Sequence, residues 1–215
     1  MTYLNLVNNV LRRLRKDEIS SISDNTYSKM VGDFVNDAKK LVEDAWDWSA
    51  LRTTLTVTTS SGTFNYVLTG SQNKIKVLNV VNDTSNLTME YRPQNWFDDK
   101  YLIGTPASGT PEYYTYNGVD SNGDTQVDVY PKPDAVYDLR FNCTLRNSEL
   151  SADTDKLEIP SQPVVHMAIA LLARERGETG GTSAPEYFGI ADKFLSDAIA
   201  LDAQKHPEEV IWYTP

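Results

Sequence analysis

Helical patterns occupy both ends of this 215-residue chain, and a run of short strand-like segments separates them. Near the start, apolar residues recur at helical spacing over residues 3–15 and again from Tyr27 to Trp46. Near the end, helices are predicted for Ser161–Arg176 and for the stretch around Phe188–Ile199, which continues to about His206. An amphipathic helix must bury its apolar stripe against another element. The helices from the two ends are therefore expected to pack together.

This layout predicts an α+β fold in which a helical bundle, formed by the N- and C-terminal helices, carries an inserted antiparallel β-sheet domain. The expected segments are 1–52 for the N-terminal helices, 53–150 for the β domain, 151–206 for the C-terminal helices and 207–215 for a tail. Trp46 and Trp48 end the second helix, and the pair is interpreted as a core plug between helix and sheet.

Strands are predicted wherever apolar and polar residues alternate. Residues 53–58 and 63–68 are expected to form a hairpin across the turn at 60–62. Further strands are expected at 74–81, 87–92, 112–117, 126–130 and 137–145, with a turn at 131–134. Residues 93–112 look irregular and end in a Pro- and Gly-rich segment, Gly104–Pro111, which is predicted to be an exposed loop.

The chain carries a net charge of −10, and this charge is unevenly distributed. Residues 1–52 hold 8 basic and 8 acidic side chains, residues 53–150 hold 7 and 11, and residues 151–215 hold 5 and 11. An acidic surface repels phosphate, which argues against sequence-independent gripping of nucleic acid. It is compatible with DNA that passes nearby without binding.

Cys143 is the single cysteine, so no internal disulfide can form, and a reducing compartment is the expected setting. It falls within an alternating strand and is expected to be a core residue. The start of the sequence has no pattern of a secretory signal, and no apolar run reaches the ~20 residues of a membrane span. The longest, Val164–Ala173, is interrupted by His166.

Catalytic and metal-binding candidates are few. The two histidines, His166 and His206, stand far apart, and no nucleophile elbow, phosphate loop or zinc spacing accompanies them. His166 is expected to pack within its helix. Carboxylates at Asp98–Asp99 or at Asp153 and Asp155 could supply acid–base chemistry, but nothing in the sequence couples them. We expect no enzyme activity, no cofactor and no metal.

One segment resembles a calcium loop. Asp120-Ser121-Asn122-Gly123-Asp124 places oxygen ligands at alternating positions, but it lacks a glycine after Asp124 and a closing glutamate. We interpret Asn122-Gly123 as the turn between two strands, with a fortuitous calcium site as the alternative.

Taken in order, several short motifs resemble a known group. They are Trp46–Arg52 after the long helix, Pro111–Tyr114 leading into Val127–Asp134, Tyr137–Phe141, and Leu157–Pro160 before an Ala-rich helix that closes at Arg174-Glu175-Arg176-Gly177. The chain resembles the head-to-tail adaptors of short-tailed bacteriophages, the tail-tubular-protein-A-like connectors. The resemblance covers nearly the whole sequence, and its motifs are degenerate.

The resemblance implies a structural protein of the virion neck, assembled in the host cytoplasm. Such a connector forms a homo-oligomeric ring, typically a dodecamer, beneath the portal protein and joins the capsid to the tail nozzle and tail fibres. Genomic DNA leaves through the central channel without sequence-specific binding during genome ejection, and no membrane is involved.

Carried onto this chain, the resemblance places the portal contact in the tail, with Val210, Ile211, Trp212 and Tyr213 as the anchors. A Trp–Tyr pair buries a large area at low entropic cost. The nozzle- or fibre-facing contact falls either on Trp96, Phe97 and Tyr101 or on the 104–111 loop. The alternatives are a tail that folds back on its own subunit and, for the whole protein, a tail-associated carbohydrate- or receptor-binding module, which the Tyr- and Trp-rich strands suggest.

Overall fold

The computed structural model describes residues 1–72, 74–176 and 184–205. It divides the chain into two compact units: a helical unit made of residues 1–51 and the chain from Asn147 onward, and a β unit made of Arg52–Arg146. None of the helices in the described part of the chain is long and apolar enough to cross a bilayer.

The described elements confirm the α+β class. The helices are α1 (Tyr3–Arg13), α2 (Thr26–Ala45), α3 (Gln94–Leu102), α4 (Ser161–Arg176) and α5 (Ala184–Ala203), with a short 3-10 turn at Ser49–Leu51. The strands are β1 (Arg52–Thr58), β2 (Asn65–Val67), β3 (Ile75–Asn82), β4 (Leu87–Tyr91), β5 (Ser108–Gly109), β6 (Tyr113–Val119), β7 (Thr125–Tyr130), β8 (Lys132–Pro133) and β9 (Asp138–Leu145).

The helical unit is held together by apolar packing of helices from both ends of the chain. Helix α4 packs against α5, α2 and α1, and its residues 163–173 are almost all buried. At the start of α2, the Asn25 side chain accepts a hydrogen bond from the Ser28 N–H while the Ser28 hydroxyl accepts one from the Asn25 N–H. This capping box fixes the start of α2 at Asn25.

Backbone contacts fasten the N-terminus to the segment that precedes α4. Thr2 forms an isolated antiparallel bridge with Lys156, the Tyr3 N–H donates to the Asp155 carbonyl at 2.8 Å, and the Leu157 N–H donates to the Met1 carbonyl at 3.0 Å. The N-terminal segment therefore contacts the C-terminal part of the chain through main-chain hydrogen bonds as well as through helix packing.

Polar side chains of α2 hold the chain where it re-enters the helical unit. The Asn36 amide donates to the Leu150 carbonyl and accepts from the Leu150 N–H, both at 3.0 Å. The buried Lys39 ammonium donates to the carbonyls of Asn147 and Ser148 and pairs with Glu43 at 3.0 Å. Burial of this lysine is tolerated because its donors are used by carbonyls and a carboxylate.

The tryptophan pair does not form one plug. Trp48 is almost completely buried in the core of the helical unit, where its indole N–H donates to the Val42 carbonyl at 2.7 Å. Trp46 is 38% exposed, and its indole N–H donates to the Asp202 carboxylate at 3.2 Å. The predicted plug between helix and sheet is thus wrong for Trp46, because that ring lies at the surface.

The β unit contains a seven-stranded sheet with the order β1-β9-β3-β4-β6-β7-β2. The predicted antiparallel sheet is wrong at one step, because β4 and β6 pair in parallel through Glu90 opposite Tyr113 and Tyr91 opposite Tyr114. Such a parallel step needs a crossover between the two strands, and α3 lies in that connection.

Two pairs of neighbouring strands are antiparallel, but the predicted 53–68 hairpin is absent. Strands β3 and β4 pair antiparallel, as do β6 and β7. Strand β1, however, pairs with β9, and β2 pairs with β7, so the two strands of the expected 53–68 hairpin lie at opposite edges of the sheet. The long-range pairing is favoured because β9 stays in register with β1 over the full length of β1.

The predicted turn at 131–134 is partly a strand. Lys132 and Pro133 form β8, which pairs in parallel with β5 at Ser108–Gly109. This short ladder ties the Pro- and Gly-rich segment to the end of β7 and accounts for the half-buried Gly109 and Thr110.

Candidate assembly surfaces

The segment predicted to be an irregular aromatic loop is the helix α3, and its rings pack against the sheet. Phe97 is 1% exposed, while Trp96 and Tyr101 are half-buried. The expectation of an irregular structure for residues 94–102 is wrong, since Pro93 provides an extended N-cap and Phe97 anchors the helix on the sheet.

The rings of α3 form a continuous aromatic cluster with residues from β6, β7 and the chain before β2. The Trp96 ring centroid lies 5.2 Å from those of both Tyr113 and Tyr130, and Phe64 stacks on Tyr101 at 4.2 Å. Such stacked and edge-to-face pairs add to the gain from area burial. The cluster therefore fixes α3 rigidly on the sheet.

Polar groups complete this attachment. The Tyr101 hydroxyl donates to the Val129 carbonyl at 2.6 Å, and burial, followed by the nearby charge of Asp128, raises the pKa of that phenol far above its ordinary value. The Lys100 ammonium lies 5.5 Å from the Trp96 ring centroid, and the Arg92 guanidinium lies 5.1 Å from that of Tyr113. These cations cover the outer faces of the cluster.

The end of α3 exposes two large apolar side chains that the sequence reasoning missed. Leu102 and Ile103 are 79% and 76% exposed, and the exposed residues 104 and 105 follow them. The sequence signal for these exposed side chains is the adjacent Leu-Ile pair directly before Gly104. We name Leu102 and Ile103 the α3 tip. It stands on a helix that the aromatic cluster holds in place.

The tail lies outside the described residues. The predicted portal anchors Val210, Ile211, Trp212 and Tyr213 all belong to it, and His206 also lies outside the described residues. The last described residues form a polar network in the helical unit. The buried Asp202 carboxylate accepts from the Ser49 N–H at 2.9 Å, from the Ser49 hydroxyl at 2.6 Å and from Lys205 at 2.9 Å.

The chemistry-bearing residues singled out in the sequence have structural partners. His166 stacks on Phe194 with ring centroids 4.2 Å apart, which confirms that it is a packed residue, and burial, then the charge of Arg13, lowers its pKa. Cys143 is buried within β9 as expected, and burial raises the pKa of its thiol.

The carboxylates considered for acid–base chemistry are parts of turns and caps. Asp155 accepts hydrogen bonds from the N–H groups of Ser151 and Ala152, which lower its pKa, and Asp153 accepts from the Ile22 N–H at 3.1 Å. Asp98 accepts from the Gln94 side chain on its own helix.

The calcium-like segment is the predicted turn. Asp120 accepts from the N–H groups of Asn122 and Asp124, and Gly123 takes the positive φ of 82° that the turn requires. The Asp124 carboxylate points elsewhere and accepts from the N–H groups of Gly70 and Gln72. The Asp120 carboxylate therefore stabilises the backbone of its own turn, and the Asp124 carboxylate stabilises the backbone of the neighbouring loop.

A family model described as SU10 adaptor protein matches residues 1–207. The chain belongs to the SU10 adaptor protein family. This match spans both the helical unit and the β unit, so it concerns the fold as a whole. No curated protein matches the chain at a significant level.

Membership of the SU10 adaptor family indicates a structural phage protein, a head–tail adaptor that is a component of the virion and interacts with portal and tail proteins. A structural role agrees with the geometry of the adaptor chain, in which the polar groups considered for catalysis fasten turns, caps and helix contacts. Among the large apolar side chains that the structure describes, the two of the α3 tip are the most exposed.

Proposed function

We propose that this adaptor forms a ring beneath the portal of a short-tailed bacteriophage, joins the capsid to the tail nozzle and fibres, and lines the channel through which the DNA leaves. The observation that carries the proposal is the family match over residues 1–207. In this reading residues 1–52 and 151–206 form a helical bundle that packs around the ring, and residues 53–150 form a β domain that faces the tail.

The acidic balance of the chain supports a channel role. The net charge is −10, and phosphate groups are repelled by such a surface. A channel wall that bound DNA through many cations would hold it, since each neutralised phosphate adds affinity. An acidic wall lets the double helix slide during packaging and ejection.

For the tail-facing contact we propose the α3 tip. Exposed apolar anchors on a rigid support bind with a small entropic cost, because the support is already ordered. In this arrangement Phe97 cannot make the contact itself, since it is buried, and Trp96 and Tyr101 act as the support beneath Leu102 and Ile103. For the portal contact we propose the tail residues Val210, Ile211, Trp212 and Tyr213.

The experiment that tests the adaptor role is native mass measurement of the chain alone and after mixing with the portal of the same phage. We expect ring-sized complexes that contain both proteins. A chain that stays monomeric and leaves the portal unchanged would refute the proposal.

A tail-associated carbohydrate- or receptor-binding module is the second candidate, and one observation favours it. Tyr91 and Tyr116 are both exposed, with ring centroids 6.0 Å apart, and exposed aromatic faces are suited to stacking on sugars. Specific glycan binding by the isolated chain, lost in Tyr91→Ala, would support this candidate.

A further inference from the structure

Asp128 carries a carboxylate in a part of the sheet that is covered on both faces. Strand β7 buries Val127 and Val129 in the core of the β unit, and the alternation of the strand places Asp128 on the opposite face, with only 3% of its surface exposed. On that face the Tyr130 ring meets the rings of α3. Asp128 therefore lies beneath α3, beside the aromatic cluster.

Three carboxamides surround the Asp128 carboxylate, and each comes from a different element. The Asn65 amide on β2 donates to Oδ1 at 2.6 Å, and the Asn117 amide on β6 donates to Oδ2 at 2.8 Å. The Gln94 side chain, at the start of α3, forms a third hydrogen bond with Asp128. In the described part of the chain no lysine or arginine forms an ion pair with this carboxylate. A buried charge without a cation costs stability.

A second carboxylate adds to this cost. Gln94 Nε2 also donates to Asp98 Oδ1 at 3.3 Å, so the Gln94 side chain bonds to two carboxylates, one on α3 and one on β7. Burial raises the pKa of Asp128, the three carboxamides act to lower it, and the charge of Asp98 acts to raise it further. The net direction is upward, because the amides do not compensate fully for the lost solvent.

The other titratable and charged groups of this region offer no compensating cation. Burial, followed by the charge of Asp128, raises the pKa of the Tyr101 phenol on α3, which is therefore neutral. Tyr130, on the same face of β7, is also a phenol, and β2 and β6 face the carboxylate with asparagine amides. The cations of the aromatic cluster, Arg92 and Lys100, lie over aromatic rings.

We propose that Asp128 makes the attachment of α3 to the sheet dependent on pH. At neutral pH its ionised carboxylate is buried beneath the helix and repels Asp98, which weakens the attachment. A proton taken up from solvent removes both costs. The new O–H group can donate to Gln94 Oε1 once that carboxamide turns, because this oxygen is buried and accepts no hydrogen bond from the described residues. The asparagine amides stay in place, since a protonated carboxyl group still accepts hydrogen bonds.

Linkage gives the direction of the effect. A carboxyl group whose pKa is higher in the folded state than in the unfolded chain binds its proton more tightly when folded. The stability that this proton adds is complete below the ordinary pKa of 3.8 and is lost as the pH rises through the higher pKa of folded Asp128. Helix α3, and with it the α3 tip, is therefore held more firmly in acid than at neutral pH.

Hydrogen exchange of the α3 amides, read by mass spectrometry of the full-length chain, tests this proposal. Exchange is measured from neutral pH into the acid range with a chelator present, and is corrected for the intrinsic effect of pH on exchange. Protection of α3 should rise as the pH falls, by up to about tenfold for each unit by which the pKa of Asp128 is raised on folding. Asp128→Asn should show the acid level of protection at every pH. Asp99→Asn removes an exposed carboxylate of the same helix and should behave like the unaltered chain.

A second variant gives a readout that a purely structural role of Asp128 would not move. Asp98→Asn removes the charge that repels Asp128 and keeps an acceptor for Gln94. The rise in α3 protection should therefore remain but occur at lower pH than in the unaltered chain. This variant also tests the proposal if Asp128→Asn fails to fold.

Three results would overturn the proposal. Lower α3 protection in Asp128→Asn than in the unaltered chain at neutral pH would show that the ionised carboxylate strengthens the attachment. An unchanged pH dependence in Asp128→Asn would assign the effect to another group. Protection that rises at neutral pH with added calcium chloride, and not with acid, would show that a cation neutralises Asp128 in place of a proton.

Discussion

At the scale of the residue, the two tryptophans that close α2 show how little sequence spacing alone says about burial. Both follow an apolar helical pattern, yet Trp48 is buried and Trp46 is 38% exposed. Trp48→Ala is expected to lower the free energy of unfolding by about 3–5 kcal/mol, because it removes a large buried side chain and leaves a cavity. Trp46→Ala should cost about 1 kcal/mol, the worth of one hydrogen bond to Asp202.

Chemical denaturation of the two variants measures this difference, with each tryptophan serving as the other's control. Equal losses of stability would show that the two rings are buried alike.

Asp202 gives a residue-scale prediction about pH. Burial acts to raise its pKa, but hydrogen bonds from Ser49 and the charge of Lys205 outweigh it and lower the pKa to about 2. A lowered pKa in the folded state means that the carboxylate contributes stability above the ordinary value of 3.8, and that this contribution is lost as the pH falls through about 2. At neutral pH it amounts to about 2 kcal/mol.

Asp202→Asn should therefore lower the free energy of unfolding at neutral pH by about 2 kcal/mol, and the difference from the unaltered protein should shrink in acid. Urea unfolding across the acidic range tests this, with Asp192→Asn, an exposed change on the same helix, as the control. A difference that stays constant with pH would refute the role of the ionised carboxylate.

At the scale of the element, sequence patterns predicted the long helices and the turn between β6 and β7, but not the long-range pairings. Helix α4 was found because apolar residues fill its length, and β6 and β7 because a turn at Gly123 joins them. The pairing of β1 with β9 was missed because the partner residues lie 80 to 92 positions apart in the sequence, where no local turn marks the pairing. Helix α3 was missed because its anchor Phe97 is buried by contacts that only the folded sheet provides.

Helix α3 carries an element-scale prediction that separates its support from its tip. Leu102→Asp with Ile103→Asp changes two exposed side chains, so the thermal stability should remain nearly unchanged while binding to tail proteins is lost. Phe97→Ala should instead lower the free energy of unfolding by about 3–5 kcal/mol. Thermal unfolding and a pull-down with the nozzle protein of the same phage measure both effects. Retained nozzle binding by the tip variant would exclude this surface.

At the scale of the whole molecule, the chain combines two units that the sequence visits in the order helical, β, helical. This order could be predicted because the period of the pattern changes from helical to alternating near residue 53 and back near residue 160. The exposed apolar surfaces could not be predicted in the same way, since exposure depends on which face of each helix its own subunit covers. Leu41 and Phe194 illustrate this, because each fits an apolar helical pattern and yet stays partly exposed.

The last prediction concerns the proposal that the tail, and not the folded units, binds the portal. Deletion of residues 207–215 removes Val210, Ile211, Trp212 and Tyr213 but leaves the described cores complete, because every buried core residue lies before residue 203. We expect the shortened chain to keep its thermal unfolding midpoint and to lose portal binding in native mass measurements. Trp212→Ala with Tyr213→Ala in the full-length chain should weaken binding in the same direction, since aromatic anchors dominate such contacts. If the shortened chain still binds the portal, the contact belongs to the folded units.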